Sequence, residues 1–147
     1  MADTIVACAT PPGRGGVSVV RLSGPEATAI GKALATTLGP PRQAVLRDLV
    51  ANDQQIIDSA LVIFFPAPNS FTGEDVVELQ CHGSPLVVDA LINATLLQGA
   101  RVAQPGEFSR RAFLNDRIDL LQAEAIADLI DATSQQAVIG AQRSLKG

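Results

Sequence analysis

The stretch Asp75-Val76-Val77-Glu78-Leu79-Gln80-Cys81-His82 decides the fold, because it has the apolar content and the length of a strand. Alternate residues of a strand share a face, so His82 is expected on the face of Glu78 and Gln80 if the strand continues. An amphipathic or buried helix from Pro85 to Leu97 follows it and is expected to end at Gly99. This stretch therefore predicts a strand that leads into a packed helix.

Upstream of this strand, the sequence predicts two further strands and a helix. The strands cover residues 4–9 and 17–22, and the segment Pro11–Gly16 between them cannot continue a strand. Ser23 and Glu26 have capping-box spacing, which predicts a helix that reaches about Leu38 before the stop at Gly39-Pro40-Pro41.

Between that helix and the central strand, a hairpin is predicted. Its strands are expected over residues 42–50 and 56–65, around the turn Asn52-Asp53-Gln54. A short strand is expected over residues 100–103. The expected fold class is therefore α+β, with a mixed or antiparallel sheet and packed helices.

From Pro105 onward the pattern becomes helical. One helix is predicted from Gly106 to Asn115, and another begins at Asp119. The second carries an apolar stripe that needs a partner, from a helical bundle or from a second subunit. The stripe consists of Leu121, Ala125, Leu129 and Ala132, widened by Ile126 and Ile130.

Composition and charge narrow the class of protein. The 147 residues hold 15 Asp plus Glu against 11 Lys plus Arg, and five Phe with no Trp or Tyr. Clustered positive charge and aromatic platforms are therefore scarce, so we expect any RNA to be held mainly elsewhere. No run of about 18 apolar residues is present, which argues against a membrane span and favours a cytoplasmic protein. Cys8 and Cys81 suggest neither a zinc site nor a disulfide framework.

Nucleotide-binding motifs are absent. The nearest approach to a P-loop, Gly24 with Gly31-Lys32-Ala33, has the wrong spacing and lacks the hydroxyl that meets magnesium. The glycines from Gly13 to Gly16 do not complete a dinucleotide fingerprint. We therefore predict that this chain does not bind GTP in that way.

Four ordered blocks of sequence cover nearly the whole chain. They are residues 4–16, residues 65–75, Glu78 with His82-Gly83, and Pro105-Gly106-Glu107-Phe108-Ser109 leading through 111–115 to 121–130. Together they resemble the amino-terminal part of the MnmE family, also called TrmE, of tRNA modification GTPases. Ser84 stands where many members have a second glycine, and Arg117 where many have lysine. Neither departure removes a needed charge.

The resemblance implies a larger protein and a division of this chain. Residues 1–118 would form a folate-binding and dimerisation domain like the tetrahydrofolate-binding domains of aminomethyltransferases. Residues 119–147 would begin a helical domain that carries a Ras-like G domain, absent here. GTP, magnesium and potassium would be bound only by that G domain, which would make the full-length protein a GTP hydrolase.

The resemblance also implies a reaction and partners. A homodimer with the flavoprotein MnmG (GidA) would add a carboxymethylaminomethyl or aminomethyl group to the wobble uridine of certain tRNAs. The methylene would derive from a tetrahydrofolate derivative, in the 5-formyl or the 5,10-methylene form. A ligand-free scaffold for dimerisation and docking is the alternative function. A third possibility is a self-contained hydrolase or transferase that uses Glu78 and His82.

Three candidate folate-binding residues follow from the resemblance: Arg21, Glu78 and Arg117. Glu78 is a carboxylate in an apolar strand, which needs a partner, and a pterin offers a matching pair of N–H donors. Spacing alone favours an ion pair of Glu78 with an arginine, which could be Arg21, whereas the resemblance favours ligand binding. Arg117 lies near Arg110 and Arg111, a positive cluster suited to the glutamate tail of folate, or simply a solvated helix end.

His82, the one histidine, could act as a general base or could be a hydrogen-bonded turn residue. The sequence has no second histidine and no cysteine-rich group that could bind a metal together with His82. Ser84 and His82 cannot be assembled into a nucleophile–base–carboxylate triad. We predict no catalytic residue and no metal site in this chain.

Overall fold

The computed structural model of the chain describes residues 3–10, 16–119 and 121–122. Within these residues the structure has a mixed six-stranded sheet and three helices, which confirms the predicted α+β class. The elements are β1 Ile5–Cys8, β2 Val17–Ser23, α1 Ala27–Ala35, β3 Val45–Val50, β4 Ile56–Phe65, β5 Val76–His82, α2 Pro85–Leu97, β6 Arg101–Val102 and α3 Glu107–Leu114.

The described residues belong to two compact units. The first unit holds the described residues up to Ser70 together with Glu74–Val102, and it contains the whole sheet with α1 and α2. The second unit holds Phe71–Gly73 and the described residues from Ala103 onward, including α3.

The sheet has the strand order β3-β4-β5-β2-β1-β6. Neighbouring strands are antiparallel except for β1 and β6, which are parallel. The strand β5 lies between β4 and β2, so its backbone is hydrogen-bonded on both sides. Val77, Leu79 and Cys81 of β5 are buried, whereas Glu78 and Gln80 at the alternate positions are half-buried.

One face of the sheet is covered by α1 and α2. Paired residues of neighbouring strands point to the same face, and the row formed by Val62, Leu79 and Val20 lies in the core beneath these helices. Helix α1 contributes Ile30 and Leu34 to that core, and α2 contributes Leu91 and Ala94. Residues at the alternate positions of the strands, including Arg21 and Glu78, therefore lie on the other face.

The start of α1 differs from the predicted capping box. Ser23 completes β2, and its hydroxyl donates a 2.8 Å hydrogen bond to Oε1 of Glu74 instead of capping a helix. Glu26 takes the N-cap position, and its backbone N–H is bonded to the hydroxyl of Thr4 at 2.8 Å. The predicted cap was wrong because the sheet pairs Ser23 with two neighbouring strands, which holds its backbone extended.

Several predicted boundaries also shift. Helix α1 ends at Ala35 rather than Leu38, because Thr36 has a φ of 69° and cannot continue the helix. The hairpin of β3 and β4 is confirmed, but β3 begins at Val45 because Arg42 has φ of 61° and cannot belong to a strand. The predicted bounds of α2 are confirmed.

In the second unit, α3 follows Gly106, whose φ of 74° suits glycine. Glu107 at its start is buried and accepts a 2.8 Å hydrogen bond from the backbone N–H of Gln104. The predicted helix from Asp119 falls mostly outside the described residues, as do Ala125, Ile126, Leu129, Ile130 and Ala132 of its stripe and the glycine-rich segment 11–15. Leu121 of that stripe is 61% exposed.

Among the described residues, no helix is long and apolar enough to cross a membrane.

Candidate functional site

Glu78 occupies the middle of the sheet, on the face away from α1 and α2. It lies in β5 directly opposite Arg21 of β2 on one side and Ile63 of β4 on the other. Its side chain is 17% exposed and that of Arg21 is 23% exposed. The structure thus brings together two of the three predicted site residues, and it places both where water still reaches them.

Arg21 binds only one oxygen of the Glu78 carboxylate. Its Nε donates to Oε2 at 3.1 Å, and Nη2 lies 3.0 Å from the same oxygen. Within the described part of the chain, Oε1 has no hydrogen-bond partner, and no fully buried side-chain oxygen or nitrogen lacks one. Oε1 is therefore reachable from outside and remains a free acceptor. The ion pair that the sequence left open is formed, and it leaves half of the carboxylate available.

Arg117, the third predicted residue, belongs to the second unit and is exposed. Its backbone N–H donates a 2.8 Å hydrogen bond to the carbonyl of Ala112 at the end of α3. Gly73 lies beside it with φ of 82°, and a Cβ there would lie 2.8 Å from Cβ of Asn115 and 3.4 Å from Cγ of Arg117. Glycine at this position lets the Phe71–Gly73 segment approach the end of α3 closely.

The positive cluster expected around Arg117 is weaker than predicted. Arg111 is buried, and its Nη2 lies 3.5 Å from Oε2 of Glu107. Nη2 of Arg110 lies 3.7 Å from the same oxygen. The sequence pattern placed three arginines together but did not show that two of them share one buried carboxylate, that of Glu107.

His82 has a carboxylate partner that the sequence analysis missed. Asp58 of β4 accepts a 2.9 Å hydrogen bond from the backbone N–H of His82, and its Oδ1 lies 2.8 Å from Nδ1 of the ring. Burial acts to raise the pKa of Asp58, but these hydrogen bonds outweigh it and hold the pKa below its ordinary value of 3.8. Asp58 was detectable by the reasoning applied to Glu78, as the one carboxylate within a largely apolar strand.

The Asp58 contact fixes the chemistry of the imidazole. An ionised carboxylate can only accept hydrogen bonds, so Nδ1 carries a proton and Nε2 of the neutral ring is an acceptor. The His82 side chain is 73% exposed. Ser84 bonds through its backbone N–H to the carbonyl of His82 and serves as N-cap of α2.

A shallow depression of about 200 Å³ lies beside His82 on the first unit. Its apolar lining includes Val17, Leu46 and Leu61, each exposed by more than 40%. Gln80 and His82 supply polar groups to the same depression. Among the described residues, no three His, Cys, Asp or Glu side chains converge in a way that could hold a metal ion.

The sequence of this chain has relatives among known proteins. A family model described as the N-terminus of the GTP-binding protein TrmE matches residues 4–117. The chain belongs to the TrmE family. The match spans the sheet, all three described helices and the positions of Arg21, Glu78 and Arg117.

The curated relatives are named MnmE, which is the other name of the TrmE family. Over 146 residues the chain is 57% identical to the tRNA modification GTPase MnmE of Legionella pneumophila strain Corby, covering 99% of this chain and 33% of that protein. It is 57% identical over 144 residues to the protein of the same name from Neisseria meningitidis serogroup B, covering 98% and 32%. The chain thus spans about a third of the length of these TrmE relatives and corresponds to their N-terminal region.

Proposed function

We propose that this chain is the folate-binding and dimer-forming module of a tRNA-modifying GTPase of the TrmE family. The observation that carries the proposal is the half-buried carboxylate of Glu78, which Arg21 binds through one oxygen only. Removing a carboxylate from water is costly, and Oε1 of Glu78, which is reachable from outside, can accept hydrogen bonds from a ligand. A ligand that donates to Oε1 would offset the cost of displacing water from it.

A pterin ring has the donors that this site lacks. Its ring N–H and exocyclic amino group resemble a guanidine edge, which can pair with a carboxylate. Glu78 would hold this edge, and Arg21 would keep the carboxylate ionised and oriented. The bound tetrahydrofolate would supply the one-carbon unit, in a 5-formyl or 5,10-methylene form. An aminomethyltransferase-like folate fold for this domain is part of the proposal.

Arg117 is proposed as a contact for the glutamate tail. Its exposure suits a flexible, charged part of a ligand, and guanidinium groups bind carboxylates well. Glu107 pairs with both Arg110 and Arg111, so neither of them is proposed as a contact for the tail.

The activity of the whole protein is proposed from the relatives. The relatives are named tRNA modification GTPases, and we propose that this module acts beside a G domain that binds GTP, magnesium and potassium. We propose MnmG as the partner and the wobble uridine of certain tRNAs as the substrate. The division into a domain over residues 1–118 and a helical domain from residue 119 remains a prediction, as does a cytoplasmic location.

Calorimetric titration of the 147-residue chain with 5-formyltetrahydrofolate tests the ligand. We expect saturable binding that weakens by about tenfold or more in Glu78→Gln, since a charge-assisted hydrogen bond contributes about 1.5–3 kcal/mol. Glu26→Gln is the matched control. It removes the charge of an exposed side chain, and the hydrogen bond of Glu26 to Thr4 is made by its backbone N–H, which the substitution keeps. Equal affinity in both variants would refute the pterin site and favour the ligand-free scaffold.

Dimerisation is tested separately. Light scattering over a wide dilution series should return one mass near twice the 15.3 kDa of the chain. A closed two-fold pair gives a fixed stoichiometry, whereas exposed apolar surface alone gives loose, concentration-dependent association. A monomer at micromolar concentration would contradict the proposal.

A further inference from the structure

A groove in the first unit separates the β3–β4 hairpin from the first half of α2. Its volume is about 370 Å³. Its apolar lining residues are Ile56 and Ile57 of the hairpin and Leu86, Val87 and Ala90 of α2. Leu86 is 82% exposed and Ile56 is 63% exposed, so two large apolar side chains of this groove are in contact with water. Their burial against a partner would stabilise a complex.

The walls of the groove are held in place by hydrogen bonds of their own. Nε2 of Gln98, at the end of α2, donates a 3.1 Å hydrogen bond to Oδ1 of Asn52 in the hairpin turn. Within the turn, Oδ1 of Asp53 accepts a 3.0 Å bond from the backbone N–H of Gln55, whose carbonyl accepts a 2.9 Å bond from the N–H of Ala51. The groove is therefore formed before a partner arrives, which lowers the entropic cost of binding.

Both walls belong to a part of the chain that carries one sign of charge. From Asp48 to Ala100 the sequence has seven Asp and Glu residues and no Lys or Arg, although the whole chain has 11 Lys and Arg. Asp53 lines the groove, Asp89 directly precedes Ala90 on α2, and both carboxylates belong to exposed residues. An apolar groove with exposed carboxylates beside it is complementary to a partner that is apolar and basic.

The spacing of the α2 residues favours a helix as the occupant. Leu86 and Ala90 are four residues apart, so they lie one above the other on one face of α2. Rows with this spacing form the ridges and grooves through which helices pack against each other. An amphipathic helix that places its apolar face in an apolar groove is a recurring mode of recognition between proteins.

We propose that this groove binds an amphipathic helix of a partner protein, with the apolar face of that helix on Leu86 and Ile56 and its Lys or Arg side chains beside the two aspartates. Arg21 and Glu78 lie on the face of the sheet away from α2, so this inference does not depend on the proposed folate site.

Charge argues against two other occupants of the groove. A two-fold pair of this chain through the groove would place the acidic segment of one copy against the acidic segment of the other. The chain's own apolar stripe is also a poor match, because residues 119–131 contain four Asp and Glu and no Lys or Arg.

A designed helical peptide of leucine and lysine, with leucine at positions i, i+3, i+4 and i+7, is the probe. The same peptide with glutamate in place of lysine is its counterpart. Calorimetry with the 147-residue chain should show saturable binding of the lysine peptide at one site per chain, and binding of the glutamate peptide that is weaker by about tenfold or more. Absence of binding, or equal affinity for the two peptides, would overturn the inference.

Two substitutions locate the peptide on the groove. Leu86→Ser and Ile56→Ser should each weaken binding of the lysine peptide by about tenfold, because each removes apolar surface that the complex buries. Both side chains are exposed, so we expect circular dichroism to show a folded chain. Leu97→Ser, which removes another exposed leucine from α2, is the control. If all three variants bind the peptide as the parent does, the peptide binds elsewhere and the inference is wrong.

The charge of the groove is tested by Asp53→Asn combined with Asp89→Asn. This double variant should lose affinity for the lysine peptide at low salt, and the loss should shrink as salt is added. Glu26→Gln, an exposed carboxylate outside the acidic segment, is the control and should bind as the parent does. Unchanged affinity of the double variant at low salt would contradict the charge complementarity on which the inference rests.

The two other occupants give different results. If Leu86→Ser lowers the mass of the chain measured by light scattering, the groove is an interface between copies. If Leu121→Ser raises the affinity for the lysine peptide, the chain's own stripe competes for the groove. Either result would replace the partner helix as the occupant.

Discussion

Asp58 and His82 are joined twice, since one carboxylate accepts hydrogen bonds from both the backbone N–H and the ring Nδ1 of the histidine. The two residues lie on neighbouring strands of the sheet. The contact therefore connects β4 to the C-terminal end of β5, as well as orienting the imidazole.

This contact makes stability depend on pH. The folded-state pKa of Asp58 lies below its ordinary value of 3.8, so its contribution is fully present above that value. It is lost as the pH falls through the folded pKa, because the protonated carboxyl no longer accepts both bonds. Asp58→Asn should therefore be less stable than the parent at pH 7, with the difference shrinking below pH 3.8. Urea unfolding at a series of pH values measures this, and a difference independent of pH would contradict it.

The Arg21–Glu78 pair should couple measurably in folding. Cross-strand pairs of opposite charge contribute about 0.2–1 kcal/mol, and these two side chains are directly opposite and mostly buried. Arg21 has contacts besides Glu78, so only a cycle of Arg21→Gln, Glu78→Gln and the double variant isolates the pair. Additive effects on the free energy of unfolding would show that the pair does not stabilise the fold.

Gly24 should tolerate no side chain. Its φ is 140°, and a Cβ would lie 2.6 Å from Cα of Thr4, whose hydroxyl bonds the N-terminus of α1. Gly24→Ala should lower the free energy of unfolding by at least about 1 kcal/mol. Gly99→Ala is the control, because Gly99 also has positive φ but open space around its Cα. Equal losses in the two variants would remove the steric part of this explanation.

Cys81 should react with thiol reagents far more slowly than Cys8. Cys81 is 2% exposed, and burial, together with the nearby charge of Asp58, raises the pKa of its thiol. Cys8 is only half-buried. Labelling of the native chain should therefore modify one thiol first and the second only after urea is added. Cys8→Ser should abolish the fast phase, and a fast phase that survives would contradict the assignment.

Arg117→Ala should weaken binding of 5-formyltetrahydrofolate in a salt-dependent way. Arg117 is exposed, and a Debye length of about 8 Å at physiological ionic strength screens contacts of this kind. The affinity difference between parent and variant should therefore shrink as salt is added. A loss that persists at high salt would mean that the contact is shielded from solvent.

Local sequence patterns were sufficient to predict most of the helices and strands. The apolar run around Glu78 predicted β5, and the proline at the start of α2 and the glycine after its end predicted that helix with correct bounds. The same rules failed at Ser23, where a capping box was formally present. A serine near a proline can cap a helix or complete a strand, and pairing with Ile5 and Val76 decided the outcome.

By itself, the sequence determined the fold class, the family resemblance and the presence of charged residues within apolar strands, because these follow from short periodicities and ordered motifs. Only the tertiary structure decided which charges meet. Arg21 and Glu78 are 57 residues apart and Asp58 and His82 are 24 apart, and each pair is set by the register of neighbouring strands. Register depends on the packing of the whole sheet, so the free oxygen of Glu78 and the exposed nitrogen of His82 could not be inferred from spacing along the chain.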